Sequence, residues 1–358
     1  MGADGSENHP AQLKSGAGAP RRPRKDKGGD RTLKAKKDAL RLGLGGAMVF
    51  SAVCATAGYL MRVAMDREAP ASMKRMMRRL EGRKKAAAPS EHLSESQEKL
   101  KNAPHETITV IAHDGARLTG HWFPVKDQQR VILAVHGWRS AWWRDFGLTA
   151  DFWRSCGCSV LYIEQRGQGQ SEGEYIGFGL LEREDLSDWI EWITARCGEE
   201  APVYLAGISM GATTVLMAAD AVFPGNVRGI MADCGFTSPE AIWRHVAVDN
   251  LHLPYRMTPF LAEQIFRRKV GMSPDARSTV DALKNSRYPV LFVHGEADSF
   301  VPIEMTYDNF AACTSQKRIL TVPGAEHGMS YLLAKEAYEE AEKSFWQEFD
   351  EGKEASAS

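Results

Sequence analysis

The five residues Gly207-Ile208-Ser209-Met210-Gly211 constrain this chain more than any other segment, because of their flanks. Residues 202–206 before them are short and apolar and read as a strand, and residues 212–219 after them read as a helix. A chain that passes from strand to helix across one residue must make a tight, strained turn. Glycines on both sides spare it collisions with the backbone that crosses there. The serine at the apex is then held out at the carboxyl edge of a sheet. The pentapeptide alone arises by chance in many chains, so its weight depends on partners downstream in the chain.

Two later segments supply such partners. Residues 289–298 read as a strand running into a polar turn that ends in Asp298, and residues 318–328 as another whose turn carries His327. Strand candidates fall at 107–112, 117–123, 131–135, 159–164, 203–206, 229–233, 290–294 and 319–322, the first two as a hairpin. Helical stretches at 141–154, 181–195, 212–223 and from 239 separate most of the last six, and an amphipathic helix spans 331–349. Short apolar strands alternating with helices predict a mostly parallel sheet covered on both faces. In such sheets ligands bind at the carboxyl ends of the strands. Trp138, Ser209, Asp298 and His327 all fall at those ends, in four separate loops.

The order Ser209, Asp298, His327, the turn at 207–211, the run ending His136-Gly137-Trp138 and the loop at 166–173 together resemble the α/β-hydrolase superfamily. Within it the chain resembles bacterial esterases and serine-aminopeptidase-like or monoacylglycerol-lipase-like hydrolases. The resemblance covers residues 106–350 and none of 1–100. It implies an α/β-hydrolase fold, with an eight-stranded mostly parallel sheet, helices on both faces and a small helical cap at about 238–286. An extra pair of packed helices is the plainer account of that last segment.

The same resemblance implies the chemistry. Ser209 is the nucleophile, His327 the general base and Asp298 the acid that orients it. The backbone N–H groups of Trp138 and Met210 form the oxyanion hole. An ester is hydrolysed through an acyl-enzyme, with neither cofactor nor metal. Asp233, closing the strand at 229–233, is the alternative acid. His136, Trp142 and Trp143 are assigned to the substrate side, His136 by orienting the oxyanion loop. Glu164 stands where the family usually shows Asp. The same triad would also serve an aminopeptidase or a protein or lipid thioesterase, and a catalytically dead binding scaffold is the remaining class.

Charge divides the chain. Residues 1–103 carry 22 Lys+Arg against 11 Asp+Glu, and the remainder 23 against 35. The acidic globular part is therefore unsuited to a phosphate backbone, and no nucleic-acid partner is expected. The loop at 167–173 imitates a dinucleotide-binding turn, but no apolar helix starts there. The six cysteines show no zinc spacing and no disulfide pattern, and read as free thiols.

Residues 42–61 contain no charge and, as a helix, span ~30 Å, the thickness of a bilayer core. Arg41 and Arg62 close the stretch, and small residues recur at 43, 47, 51 and 55. The reading is a single-pass anchor in the cell membrane, with a secretory signal or a soluble Gly/Ala-rich helix as the alternatives. Basic residues on both sides suit anionic lipid, and their bias places the catalytic domain outside the cytoplasm. The expected order is a disordered basic tail (1–41), transmembrane helix (42–61), juxtamembrane linker (62–103), hydrolase domain (104–350) and disordered C-terminal tail (351–358). A fragment lacking 1–65 is expected to stay active. Nothing in the sequence sets an oligomeric state, and the expected substrate is a small-molecule ester.

Overall fold

A computed structural model describes residues 27–72, 75, 91–252 and 258–350, with the side chains of 27–50 described only in part. Eight strands form one sheet: β1 (Glu106–Ile111), β2 (Arg117–Phe123), β3 (Arg130–Val135), β4 (Cys158–Ile163), β5 (Val203–Ile208), β6 (Val227–Asp233), β7 (Val290–Gly295) and β8 (Lys317–Val322). Their order is β1-β2-β4-β3-β5-β6-β7-β8. The β1–β2 and β2–β4 pairs are antiparallel, and every other pair is parallel. All eight strand candidates are present within two residues of their expected bounds.

The central strands are buried on both faces, so they read as continuous apolar runs. In β3, Val131, Leu133 and Val135 join the core under the helices Asp185–Cys197 and Met210–Met217. Ile132 and Ala134 join the opposite core with Trp153, Phe345 and Trp346, the last two from the helix Lys335–Phe349. One residue of register separates the two faces.

The helix expected at 141–154 is two short pieces, Trp142–Asp145 and Ala150–Ser155. The break lies at Gly147, where a Cβ would sit 2.8 Å from the Gln97 Cα, so the gap admits the helix Glu91–Asn102. The expected cap contains Pro239–His245, a π turn at Val246–Asn250, Thr258–Val270 and Thr279–Leu283, with 253–257 outside the described residues.

The front of the chain differs from expectation. A helix runs Lys27–Met65 and so begins inside the segment expected to be a disordered tail. The Lys-, Ala- and Leu-rich run there consists of strong helix formers. Residues 1–26, residues 73, 74 and 76–90 of the expected linker, and 351–358 lie outside the described residues. The chain divides into two compact units, Met1–Ala52 and Val53–Ser358. The second therefore begins well before residue 104. Ala57, Met61 and Met65 are buried in it, the two methionines in a third core with Phe178, Phe236, Ile242 and Phe266. Among the described residues no helix is long and apolar enough to cross a membrane.

Candidate active site

The strained turn forms where β5 meets the helix Met210–Met217. Ser209 has φ 56° and ψ −119°, an unfavourable conformation for a residue with a side chain. A Cβ on Gly207 would overlap the Gly211 carbonyl, and one on Gly211 would overlap the carbonyl of Val135 in β3. Neither position accepts a side chain, which accounts for both glycines. The constraint leaves Ser209 only 6% exposed, with its hydroxyl turned toward His327.

Three side chains from three loops meet there. Ser209 Oγ–H donates to His327 Nε2 at 2.9 Å, and His327 Nδ1–H donates to Asp298 Oδ2 at 2.7 Å. Asp298 is buried and saturated with donors. The N–H groups of Phe300 and Val301 donate to its Oδ1, each at 2.9 Å. Burial alone would raise its pKa, but hydrogen bonds from His294 and His327, the nearby imidazole charge and the Val301 N–H outweigh it. They hold the carboxyl well below the usual carboxylate range. Asp298 is thus an anion placed behind the imidazole.

Asp233 makes a different environment. Burial pushes its carboxyl above the usual range, and Ser330 Oγ–H donates to it at 3.2 Å. It has no hydrogen bond to His327, so geometry and charge both select Asp298. Cys234 Sγ lies within 4.8 Å of ligand atoms of Asp298 and His327, a grouping that could suggest a metal. The thiol is held protonated by burial, while Asp298 and His327 are committed to each other. That donor set suits a proton relay better than an ion.

The loop after β3 lies against the turn. A Cβ on Gly137 would sit 3.3 Å from the Ser209 Cβ. Gly137 N–H donates to Asp145 Oδ2 at 2.7 Å and Arg139 N–H to Gln168 Oε1 at 2.6 Å. The Trp138 N–H between them has no acceptor among the described residues. Met210 is the first helical residue, so its N–H has no partner within the helix. His136 is buried and bonds only within the scaffold. Its Nδ1–H donates to Gly137 O at 2.8 Å, and its Nε2 accepts the Gln165 N–H at 3.2 Å. His136 orients the loop and does not line the cavity.

Trp142 and Trp143 are also not at the site. Trp142 is buried and stacks on His121, with ring centroids 4.5 Å apart, and Lys101 lies over Trp143. From the short helix Trp142–Asp145, Trp142 packs onto β2 and β4, against His121, Phe123 and Tyr162. His121 Nε2–H donates to Glu164 Oε1 at 3.0 Å, and Gln170 N–H donates to the other oxygen of Glu164. The longer Glu side chain therefore bridges β2 and the loop after β4.

Ser209 opens into a cavity of about 330 Å³. Phe178, Phe236, Trp243 and Phe300 line it, together with Ala57, Leu60, Met61 and Ala64 from the front helix. The last turn of that helix is tied to the loop after β3. The Trp138 indole N–H donates to Ala64 O at 2.8 Å. Arg139 donates to the carbonyls of Val63 at 3.0 Å, Arg67 at 3.3 Å and Asp66. These carbonyls need partners because a helix leaves its final ones unpaired. His294, buried near the end of β7, adds a contact behind Asp298. Its Nε2–H donates to Val301 O at 2.9 Å and lies 3.3 Å from Asp298 Oδ2, while its Nδ1 accepts from Thr306 at 2.6 Å. Its only sequence signal is a polar residue ending an otherwise apolar strand.

The chain has the α/β-hydrolase fold. A family described by that fold matches residues 130–283. The chain is 25% identical over 193 residues to the uncharacterized protein YqkD of Bacillus subtilis. That match covers 53% of this chain and 62% of the Bacillus protein. It is 26% identical over 236 residues to the uncharacterized YfhR of Salmonella typhimurium, across 63% of this chain and 75% of that one. Among solved structures it is similar to the Pyrococcus furiosus esterase Pf2001, with TM-score 0.55 and 18% identity over 69% of this chain and 91% of the other. It is also similar to the Pyrococcus horikoshii acylaminoacyl peptidase, with TM-score 0.53 and 17% identity over 70% of this chain and 42% of the other.

Proposed function

We propose that this protein is a serine hydrolase that cleaves carboxylic esters through an acyl-enzyme. The observation that carries the reading is the continuous hydrogen-bonded line from Ser209 through His327 to an ionised Asp298. As Ser209 Oγ attacks the ester carbonyl carbon, its proton passes to His327 Nε2. The carbonyl oxygen becomes an oxyanion that accepts from the Trp138 and Met210 N–H groups. Collapse breaks the bond to the alcohol, which leaves with the proton from His327. Water then gives a proton to His327 as its oxygen attacks the acyl carbon; the bond to Ser209 Oγ breaks, His327 returns the proton to Oγ, and the acid leaves the restored enzyme. Asp298 keeps the imidazole in one tautomer and stabilises its cation.

A fluorophosphonate probe tests this directly. Ser209 is expected to be labelled, and labelling is expected to vanish in Ser209→Ala. A native protein that folds but takes no label would leave only a binding scaffold. Rates on p-nitrophenyl esters and aminoacyl p-nitroanilides then separate an esterase from an aminopeptidase on the same triad.

We also propose that the charge-free stretch at 42–61 attaches the protein to a membrane, with the catalytic domain outside the cytoplasm. Its support is the charge-free composition and the flanking arginines. Burial of Ala57 and Met61 gives the last turn of that stretch to the hydrolase domain. Flotation with anionic vesicles and protease accessibility in spheroplasts test the anchor and its direction.

A further inference from the structure

We propose that the front helix is a working part of the active site, and that its apolar face forms the wall of a pocket for an uncharged acyl chain of medium length. This rests on the serine-hydrolase reading above and names the substrate class of the same site. The cavity that reaches Ser209 has one side made of Ala57, Leu60, Met61, Val63 and Ala64. These residues recur at the spacing of one helix face and follow the axis for ~10 Å. Facing them are aromatic residues from the loop before the helix Asp185–Cys197 and from the cap, Phe178 and Trp243 among them.

Three further observations make the wall a built feature. Met61 and Met65 are buried with the pocket residues, so the helix face is packed in place. Its final carbonyls accept from Trp138 and Arg139, so the wall is tied to the loop assigned to the oxyanion. Just past the helix, Ile176 N–H donates to Met65 O at 2.7 Å, and Lys269 of the cap pairs with Asp66 at 2.5 Å. Wall, oxyanion loop and cap are therefore joined around one cavity. Its volume of about 330 Å³ is at the small end of the range for ligand pockets, which suits a medium chain better than a long one. The charged residues that line it, Glu240, Glu263 and Asp275, are all acidic. A carboxylate or phosphate on the chain would meet repulsion and an apolar wall together.

Leu60 is half-buried, lines the cavity and is suited to test the wall. The measurement is the ratio of kcat/KM for p-nitrophenyl octanoate to that for p-nitrophenyl acetate, using the full chain. A ratio taken within one preparation does not depend on how much of the protein is folded. Leu60→Trp is expected to lower the ratio by at least ~10-fold, and Leu60→Ala to shift the best substrate to a longer chain. The p-nitrophenyl monoester of suberic acid, with the same bond and chain but a terminal carboxylate, is expected to react at least ~10-fold more slowly than the octanoate. An unchanged ratio in both variants, or equal rates on the two eight-carbon esters, would overturn the proposal while fluorophosphonate labelling of Ser209 stands. Loss of that labelling in the native chain would remove the serine-hydrolase reading, and this one with it.

Discussion

The two sides of Ser209, the proposed nucleophile, are built by different means. On one side, His327 and Asp298 hang from the ends of β8 and β7, adjacent strands held in register along six residue pairs. On the other side, the oxyanion loop and pocket wall are joined by side-chain hydrogen bonds between residues more than seventy positions apart. The proton-relay side inherits the rigidity of a sheet. The substrate side depends on one helix staying docked.

The largest expected effect lies on the sheet side. Asp298→Asn removes the charge behind His327 and favours the wrong imidazole tautomer, and kcat is expected to fall by ~10⁴-fold. Asp233→Asn changes a carboxyl that burial pushes above the usual range and that makes no hydrogen bond to His327, so its expected effect on kcat is below ~10-fold. Steady-state kinetics on one p-nitrophenyl ester compares the two. Equal losses would mean that both carboxyls serve the relay and that the hydrogen bonds to Asp298 do not distinguish them.

That division also marks what was legible in the sequence. The relay residues could be read because each is tied to a local pattern. Gly207 and Gly211 are required by a backbone crossing, and Asp298 and His327 come just after apolar strands. The sheet was legible for the same reason, since buried parallel strands are continuous apolar runs. The wall was not legible. The charge-free run at 42–61 is compatible with lipid and with a protein surface alike, and composition does not separate the two. A fragment starting at residue 66, expected from sequence to be active, would lack the wall, the acceptor of the Trp138 indole and one of the three acceptors of Arg139. Trp142 and Trp143 fall away from the cavity because closeness in sequence to Trp138 says nothing about which way side chains leave the short helix Trp142–Asp145.

An intermediate effect is expected where the two sides join. Arg139→Met keeps much of the side chain's bulk but leaves the carbonyls of Val63, Asp66 and Arg67 without this donor. Loss of about 2 kcal/mol of stability is expected, offset in part where water can replace the donor. Because Arg139 is next to Trp138, kcat is expected to drop ~10-fold as well. Thermal unfolding and kinetics on the same preparation check this. A protein with a lowered Tm and an unchanged kcat would show that docking of the helix and shaping of the oxyanion loop are independent.

The smallest expected effect concerns a buried carboxyl that belongs to neither side. Glu342, in the helix Lys335–Phe349, is buried on the far face of the sheet, where the Trp153 indole N–H donates to it at 2.7 Å. Burial, opposed only by that bond and reinforced by the charges of Asp233 and Glu339, pushes its pKa up to about 8. Asp298 has several donors and stays charged; Glu342 has one and does not. In the unfolded chain Glu342 ionises near 4.5. Between that value and about 8 the folded state holds a proton that the unfolded state has lost, so this group makes stability fall as pH rises. Glu342→Gln keeps an acceptor for Trp153 and removes the titration. The buried amide N–H left unpaired costs part of the gain, so a net advantage on the order of 1 kcal/mol is expected at pH 8. The advantage should shrink toward pH 5. Thermal unfolding of both proteins at the two pH values reads it out. Parallel pH dependence in variant and parent would show that Glu342 is ionised in the folded protein, and that one indole N–H is enough to hold a buried carboxylate charged.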